Sequence, residues 1–287
     1  MRGWPGAACV LALSRNGGTI QRYGRALLTA ALLLATPAQA QPRVVSLNLC
    51  TDQLLLMLAP EQIAALSTLA RDPALSWMAD AAAHHPTVRA DAEAVMRLRP
   101  TLVLAGQYGA QATLAALERR GVQVVRLGQP AGFDAIRTQI TETAALLHVP
   151  NRGIESIATM DRWLIHPPRP PATALLWGAR GWTSGPGTLT DAVLTAAGLV
   201  NTARGGQVGI EQLRAHPPQL LITATMPATP SLATDLLRHP ALAVIPRHSI
   251  PPAWLICGGP AAALAVQSLA TPETPDTPDT PDTPDTP

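Results

Sequence analysis

The chain is 287 residues long, 47% hydrophobic but only 14% charged and 3% aromatic, with a formal net charge of +2. All 21 basic residues are arginine. The absence of lysine excludes chemistry that needs an ε-amine, including Walker-A phosphate binding, Schiff-base catalysis and the Ser-x-x-Lys hydrolases, and so small a net charge without a basic stripe argues against a nucleic-acid partner.

At the N-terminus Arg22 and Arg25 precede an apolar run at 26–35, and Ala38-Gln39-Ala40 follows as a small-residue cleavage pattern. This is the layout of a secretory signal peptide. The run is about 10 residues, against the roughly 20 that a bilayer span needs. Cys9 lacks the upstream Leu of a lipoprotein box, so no lipid anchor is expected. The expected division is a signal peptide over 1–40 and an exported body from Gln41.

The body opens with the apolar, β-branched run 43–47, predicted as a strand, and helical spacing follows over 51–58. Further short apolar runs at 63–66, 101–104 and 122–127 read as strands, separated by helical segments such as 111–120. Strands alternating with helices predict a parallel or mixed sheet covered on both faces. Two helices come next, at 133–148 and 151–165, with apolar residues at Ile136, Ile140, Ala144 and Leu147 and then at Ile154, Ile157, Met160 and Leu164. Pro150 breaks the first, and the proline cluster at 167–171 stops the second. A helical link of this kind predicts a small hinge. A second opening strand is predicted at 174–177. At the far end, residues 271–287 repeat Thr-Pro-Asp, and a proline at every third position predicts an extended, acidic, unpacked tail.

An internal repeat organises the body. The twelve residues from Glu93 to Leu104 align without a gap on those from Glu211 to Ile222. Each copy is a Glu near the start of a short helix, a proline seven residues on (Pro100, Pro218), then an apolar strand. Glu in a first turn complements the helix dipole, and the proline keeps the helix from running into the strand. Duplicated α/β lobes follow: an N-terminal lobe over 41–150, a connecting helix over 151–166 and a C-terminal lobe over 167–270. The charge divides unevenly over these parts. The first 40 residues hold four arginines and no acid, the tail holds five acids, and the body carries 17 arginines against 14 acids.

Catalytic motifs are largely missing. Ser184 lies in Gly181-Trp182-Thr183-Ser184-Gly185, where Trp182 displaces the first Gly of a nucleophile elbow. Gly185-x-Gly187 lacks the third Gly of a dinucleotide fingerprint, and no Cys-x-x-Cys or His-Glu-x-x-His occurs. The adjacent His84 and His85 read as a solvated loop pair. The sparse aromatics are more informative. Tyr108 follows the strand at 102–104, Trp177 and Trp182 end or follow the strand from Ala174, and Trp254 precedes the last helix. Ligands of α/β sheets gather at the carboxyl ends of strands, where Arg71, Arg180 and the segment holding Asn48, Cys50 and Asp52 also fall. Flat rings with guanidinium groups suit a large, partly planar ligand with peripheral acids. Cys50 and Cys257 are the thiols left after cleavage. In an exported protein they form a disulfide, remain two buried thiols, or serve as a soft ligand site.

In these residues the chain resembles the class III periplasmic substrate-binding proteins of ABC importers, the group that carries iron–siderophores, haem and cobalamin. The resemblance rests on Arg43-Val44-Val45-Ser46-Leu47-Asn48 with Thr51-Asp52, on Ala92-Glu93 through Leu98-x-Pro100-x-Leu102-Val103, and on Gly187-Thr188-Leu189-x-Asp191 running to Ala197-Gly198-Leu199-x-Asn201. The second Glu–helix–Pro–strand unit and Arg238-His239-Pro240-Ala241-Leu242 complete it. It implies two α/β lobes joined by a rigid helix with the ligand in the cleft between them. It also implies that Glu93 and Glu211 are paired surface glutamates that dock on an ABC permease dimer with its ATPase. No prosthetic group is implied, only a bound iron- or cobalt-containing chelate, captured by a monomer without catalysis. Asn48, Cys50, Asp52, Arg71, Tyr108, Trp177, Arg180, Trp182 and Trp254 are the expected ligand contacts, from strand-end placement alone. The competing readings are a periplasmic α/β hydrolase built on Ser184 or Cys50, and a cofactor chaperone without a permease.

Overall fold

The computed structural model describes residues 42–225 and 235–271. The expected signal peptide and the Thr-Pro-Asp repeats lie outside these residues. The described chain belongs to one compact unit.

Two parallel sheets form its frame. The first has the order β3-β2-β1-β4-β5, from β1 (Val44–Ser46), β2 (Ile63–Ser67), β3 (Thr87–Val88), β4 (Leu102–Gly106) and β5 (Gln123–Leu127). In the second, β6 (Ala172–Leu176), β8 (Leu199–Asn201), β10 (Leu220–Ala224) and β11 (Arg247–Ile250) run in the order β11-β10-β6-β8. A short antiparallel pair, β7 (Trp182–Thr183) with β9 (Gly206–Gln207), stands beside it. Every residue of β1 is buried, as expected of a parallel strand covered on both faces, whose sequence is a continuous apolar run.

The internal repeat is visible in the topology. In the first sheet β1 lies between β2 and β4, with β5 outside β4. In the second, β6 lies between β8 and β10, with β11 outside β10. The two Glu–helix–Pro–strand units are helix α3 (Ala92–Arg97) leading into β4 and helix α8 (Ile210–Ala215) leading into β10. Both enter next to the opening strand of their own lobe.

The remaining helices are α1 (Leu49–Leu58), α2 (Ala79–Ala82), α4 (Gln111–Glu118), α5 (Phe133–Leu146), α6 (Pro150–Trp163), α7 (Leu189–Ala196) and α9 (Ala261–Ala270). Helix ends follow local chemistry. Asn48 caps α1, Asp91 caps α3 by accepting from the Ala94 N–H at 2.8 Å, and Thr188 caps α7. Each cap satisfies an amide that has no partner within its own helix. Pro150 occupies the first turn of α6, where a missing N–H costs nothing.

Helices α5 and α6 meet through a tight turn containing His148 at φ 59°. They approach so closely that a Cβ on Gly153 would lie 2.7 Å from the Cβ of Ala144. The turn is tied to the first lobe: the Gln62 amide donates to the Leu147 carbonyl at 2.8 Å, and Arg152 donates to the Leu58 carbonyl and to Glu61. One continuous hydrophobic cluster then runs through both lobes. It joins Val44, Leu55 and Leu104 of the first to Ala174, Leu194 and Ile222 of the second by way of Ile136, Ile140, Met160 and Val266. The lobes therefore share a core, and smaller clusters cover the outer faces of each sheet.

Candidate functional site

The carboxyl ends of β1, β4 and β5 border a cleft of about 220 Å³ that is open to one side. Its first wall comes from the loops that leave three neighbouring strands: Asn48 after β1, Gln107 and Tyr108 after β4, and Gly128 to Pro130 after β5. Gln139 on α5 joins them, and Ile256 and Gly258, downstream of β11, close it from the second lobe. This is where an α/β sheet gathers ligands, because the chain leaves each strand in a loop while helix N-termini point inward.

The turn from β1 into α1 is held by a small polar network. Asn48 Oδ1 accepts from the Cys50 N–H at 2.9 Å, the Thr51 hydroxyl donates to the Asn48 carbonyl at 2.9 Å, and the Ser46 and Thr51 hydroxyls are 2.7 Å apart. The network fixes Asn48 and Cys50 at the cleft edge. Across the cleft three consecutive residues reach back to the first lobe. Cys257 forms a disulfide with Cys50, the Ile256 carbonyl accepts from Gln129 Nε2 at 2.9 Å, and a Cβ on Gly258 would sit 2.8 Å from the Pro130 carbonyl oxygen. Only glycine permits that approach.

The sequence-predicted ligand contacts divide into three groups. Asn48, Cys50 and Tyr108 line this cleft, and Tyr108 is 79% exposed at its rim. Arg180 lines a separate shallow groove with Gln207 and Glu211, and Trp182 stands 57% exposed on the short β7 strand. Arg180 holds φ 57°, an uncommon backbone for a residue with a side chain, on the loop that leaves β6.

The third group does not line this cleft, and burial overturns two of its members. Trp177 is fully buried in the second lobe's outer cluster, and its indole N–H donates to the Val208 carbonyl at 2.8 Å. It is a core residue, not a stacking platform. Asp52 is likewise fully buried, accepting from the Ser67 N–H at 2.9 Å and from the Ser67 hydroxyl. It ties α1 to the end of β2, and burial pushes its carboxyl up to about 6. Arg71 donates to the carbonyls of Ala82 and His85, closing the C-terminal end of α2. Trp254 is half-buried and packs against the shared core.

Sequence reasoning missed Gln107, Gln129, Gln139, Ile256 and Gly258. The first two stand immediately beyond predicted strands, so placement alone would have found them, but amides carry no motif. The others are brought in by tertiary packing. Glu93 and Glu211 both occupy the second position of their helices and are exposed, and Glu93 pairs with Arg97 at 3.2 Å. Among the described residues no group of three or more His, Cys, Asp or Glu could hold a metal ion, and no helix is long and apolar enough to cross a membrane.

Two matched α/β lobes on a shared core, with a cleft at the strand ends between them, define a bilobal solute-binding protein. The periplasmic binding protein family profile matches residues 44–246, and the chain belongs to that family. No curated protein sequence matches it. In fold it is similar to the periplasmic heme-binding protein RhuT from Roseiflexus sp. RS-1, with 23% identity and a TM-score of 0.62 over 80% of this chain and 97% of that one. A periplasmic heme-binding protein from Pseudomonas aeruginosa aligns with 24% identity and a TM-score of 0.62, over 80% of this chain and 91% of that one. The periplasmic vitamin B12 binding protein BtuF of Vibrio cholerae aligns with 17% identity and a TM-score of 0.58, over 80% and 95%.

Proposed function

We propose that the protein captures a metal chelate in the periplasm and hands it to an inner-membrane ABC permease. The chelate would be an iron–siderophore, cobalamin or haem, and the signal peptide would be cleaved after Ala40 on export. The observation that carries this reading is the cleft between two duplicated lobes of a periplasmic binding protein, walled by residues from both. A cleft held by a shared core loses little conformational freedom on binding, which favours affinity for a bulky, rigid ligand. Tyr108, at the rim, would stack on the ligand body.

Glu93 and Glu211 would be the permease contacts, one per lobe. They stand at equivalent positions of the repeat, at the starts of α3 and α8. As exposed charges each would add only about 0–1 kcal/mol, so their contribution would be orientation and steering. The expected outcome for the Glu93→Ala/Glu211→Ala double variant is chelate uptake by cells reduced at least about tenfold, with affinity in solution unchanged. Lost affinity in solution would place the glutamates in ligand binding and refute the docking role.

A hydrolase is the less favoured reading. Cys50 is held in a disulfide and is not free to act as a nucleophile.

A further inference from the structure

The cleft is uncharged. Among the described residues its lining contains no Arg, Asp, Glu or His; its polar side chains are the amides of Asn48, Gln107, Gln129 and Gln139 together with the hydroxyls of Thr51 and Tyr108. Leu49, Leu54, Leu127, Pro130, Ile256 and Cys50 make up its apolar surface. The body carries 17 arginines, and four of them are engaged away from this cleft. Arg126 pairs with Glu118, Arg137 with Asp134 and Asp161, Arg152 with Glu61, and Arg71 serves backbone carbonyls.

The amides are oriented by their own bonds. Gln129 Nε2 donates to the Ile256 carbonyl and Gln139 Nε2 donates to the Gly128 carbonyl at 2.8 Å, so each amide's nitrogen and oxygen are distinguishable. An amide retains further acceptor capacity on its oxygen and a second N–H on its nitrogen. Such a wall exchanges hydrogen bonds with carbonyl, amide or hydroxamate groups at little cost. A carboxylate or catecholate placed against it would lose hydration and meet no charged side chain in return, which disfavours it.

We propose that the cleft selects electrically neutral chelates whose gripped edge carries amide or hydroxamate groups, and disfavours chelates that bring acidic groups into it. This rests on the capture function proposed above and narrows its ligand class.

The test uses the exported, oxidised protein and four probes: cyanocobalamin and ferrichrome as neutral chelates, haemin and ferric enterobactin as anionic ones. Affinity is measured by calorimetry at low and high salt. A neutral probe should bind at least about tenfold tighter than either anionic one, with affinity nearly independent of salt because no ion pair is formed. Tighter or equal binding of an anionic probe overturns the neutral-ligand inference and leaves the capture function standing. Silence of all four overturns the capture function itself. Gln107→Arg supplies the second arm, since Gln107 is exposed on a loop. Adding that cation should shift preference several-fold toward the anionic probes; an unchanged ratio would show that bound ligand does not face Gln107 and would overturn the inference.

Discussion

Asp52 shows how far a residue's chemistry depends on what covers it. It sits in the first turn of α1, where a sequence reading takes an acid for a helix-dipole partner or a ligand contact, yet it is buried against Ser67. Burial raises its pKa from 3.8 to about 6, and the hydrogen bonds from Ser46 and Ser67 offset only part of that. The folded chain therefore holds this proton more tightly than the unfolded chain. The group's contribution to stability is full below about pH 4 and is lost as pH rises through about 6. A shift of about two pKa units corresponds to roughly 3 kcal/mol. Asp52→Asn should thus be more stable than wild type at pH 7, by up to roughly that amount, and should flatten the dependence between pH 4 and 7. Urea unfolding at pH 4.5 and 7 measures both; a variant less stable at pH 7 would show that the Ser67 bonds to the ionised form outweigh its burial. Trp177 teaches the same lesson for an apolar side chain. Its position at the end of β6 was legible, but its direction was not, and direction decides between cleft and core.

At the scale of elements the sequence was far more legible. Each strand predicted from an apolar run is present within about two residues at either end; in β1 and β4, which are covered on both faces, the run is near-continuously apolar. Helices 133–148 and 151–165 appear as α5 and α6, broken where Pro150 requires. The periodicity said nothing of how tightly the two would pack, and that is set at Gly153. Gly153→Leu should drive a side chain into Ala144 and cost about 1–3 kcal/mol or more, by the general cost of overpacking a core. Gly153→Ala should cost less, although its Cβ still meets Ala144 at 2.7 Å. Thermal unfolding of the two variants gives the order, and equal stability of Leu and wild type would mean that α5 and α6 separate freely. The short strands β3, β7 and β9, of two residues each, carried no readable pattern. They are too brief for alternation to register and exist only because neighbours supply their partners.

For the whole molecule, the segment at 256–258 binds the second lobe to the first through a disulfide, a hydrogen bond and a glycine contact in succession. The disulfide spans 207 residues of sequence, and the chain-entropy model assigns such a loop roughly 5 kcal/mol. Replacing Cys50 and Cys257 together by Ser should lower unfolding stability by up to about that amount. It should also allow a larger change in radius of gyration on adding ligand, measurable by X-ray scattering. If reduction altered neither stability nor scattering, the shared core alone would hold the lobes. The sequence by itself determined the duplicated α/β plan, the order of strands and helices, and the equivalence of Glu93 with Glu211, because these follow from local periodicity, proline placement and self-similarity. Three things only the tertiary structure decided: the pairing of Cys50 with Cys257, the burial of Trp177 and Asp52 away from the cleft, and the wall of amides without a charged side chain. Each depends on which side chains meet across long separations in sequence, and burial and pairing at those meetings override what any position suggests alone.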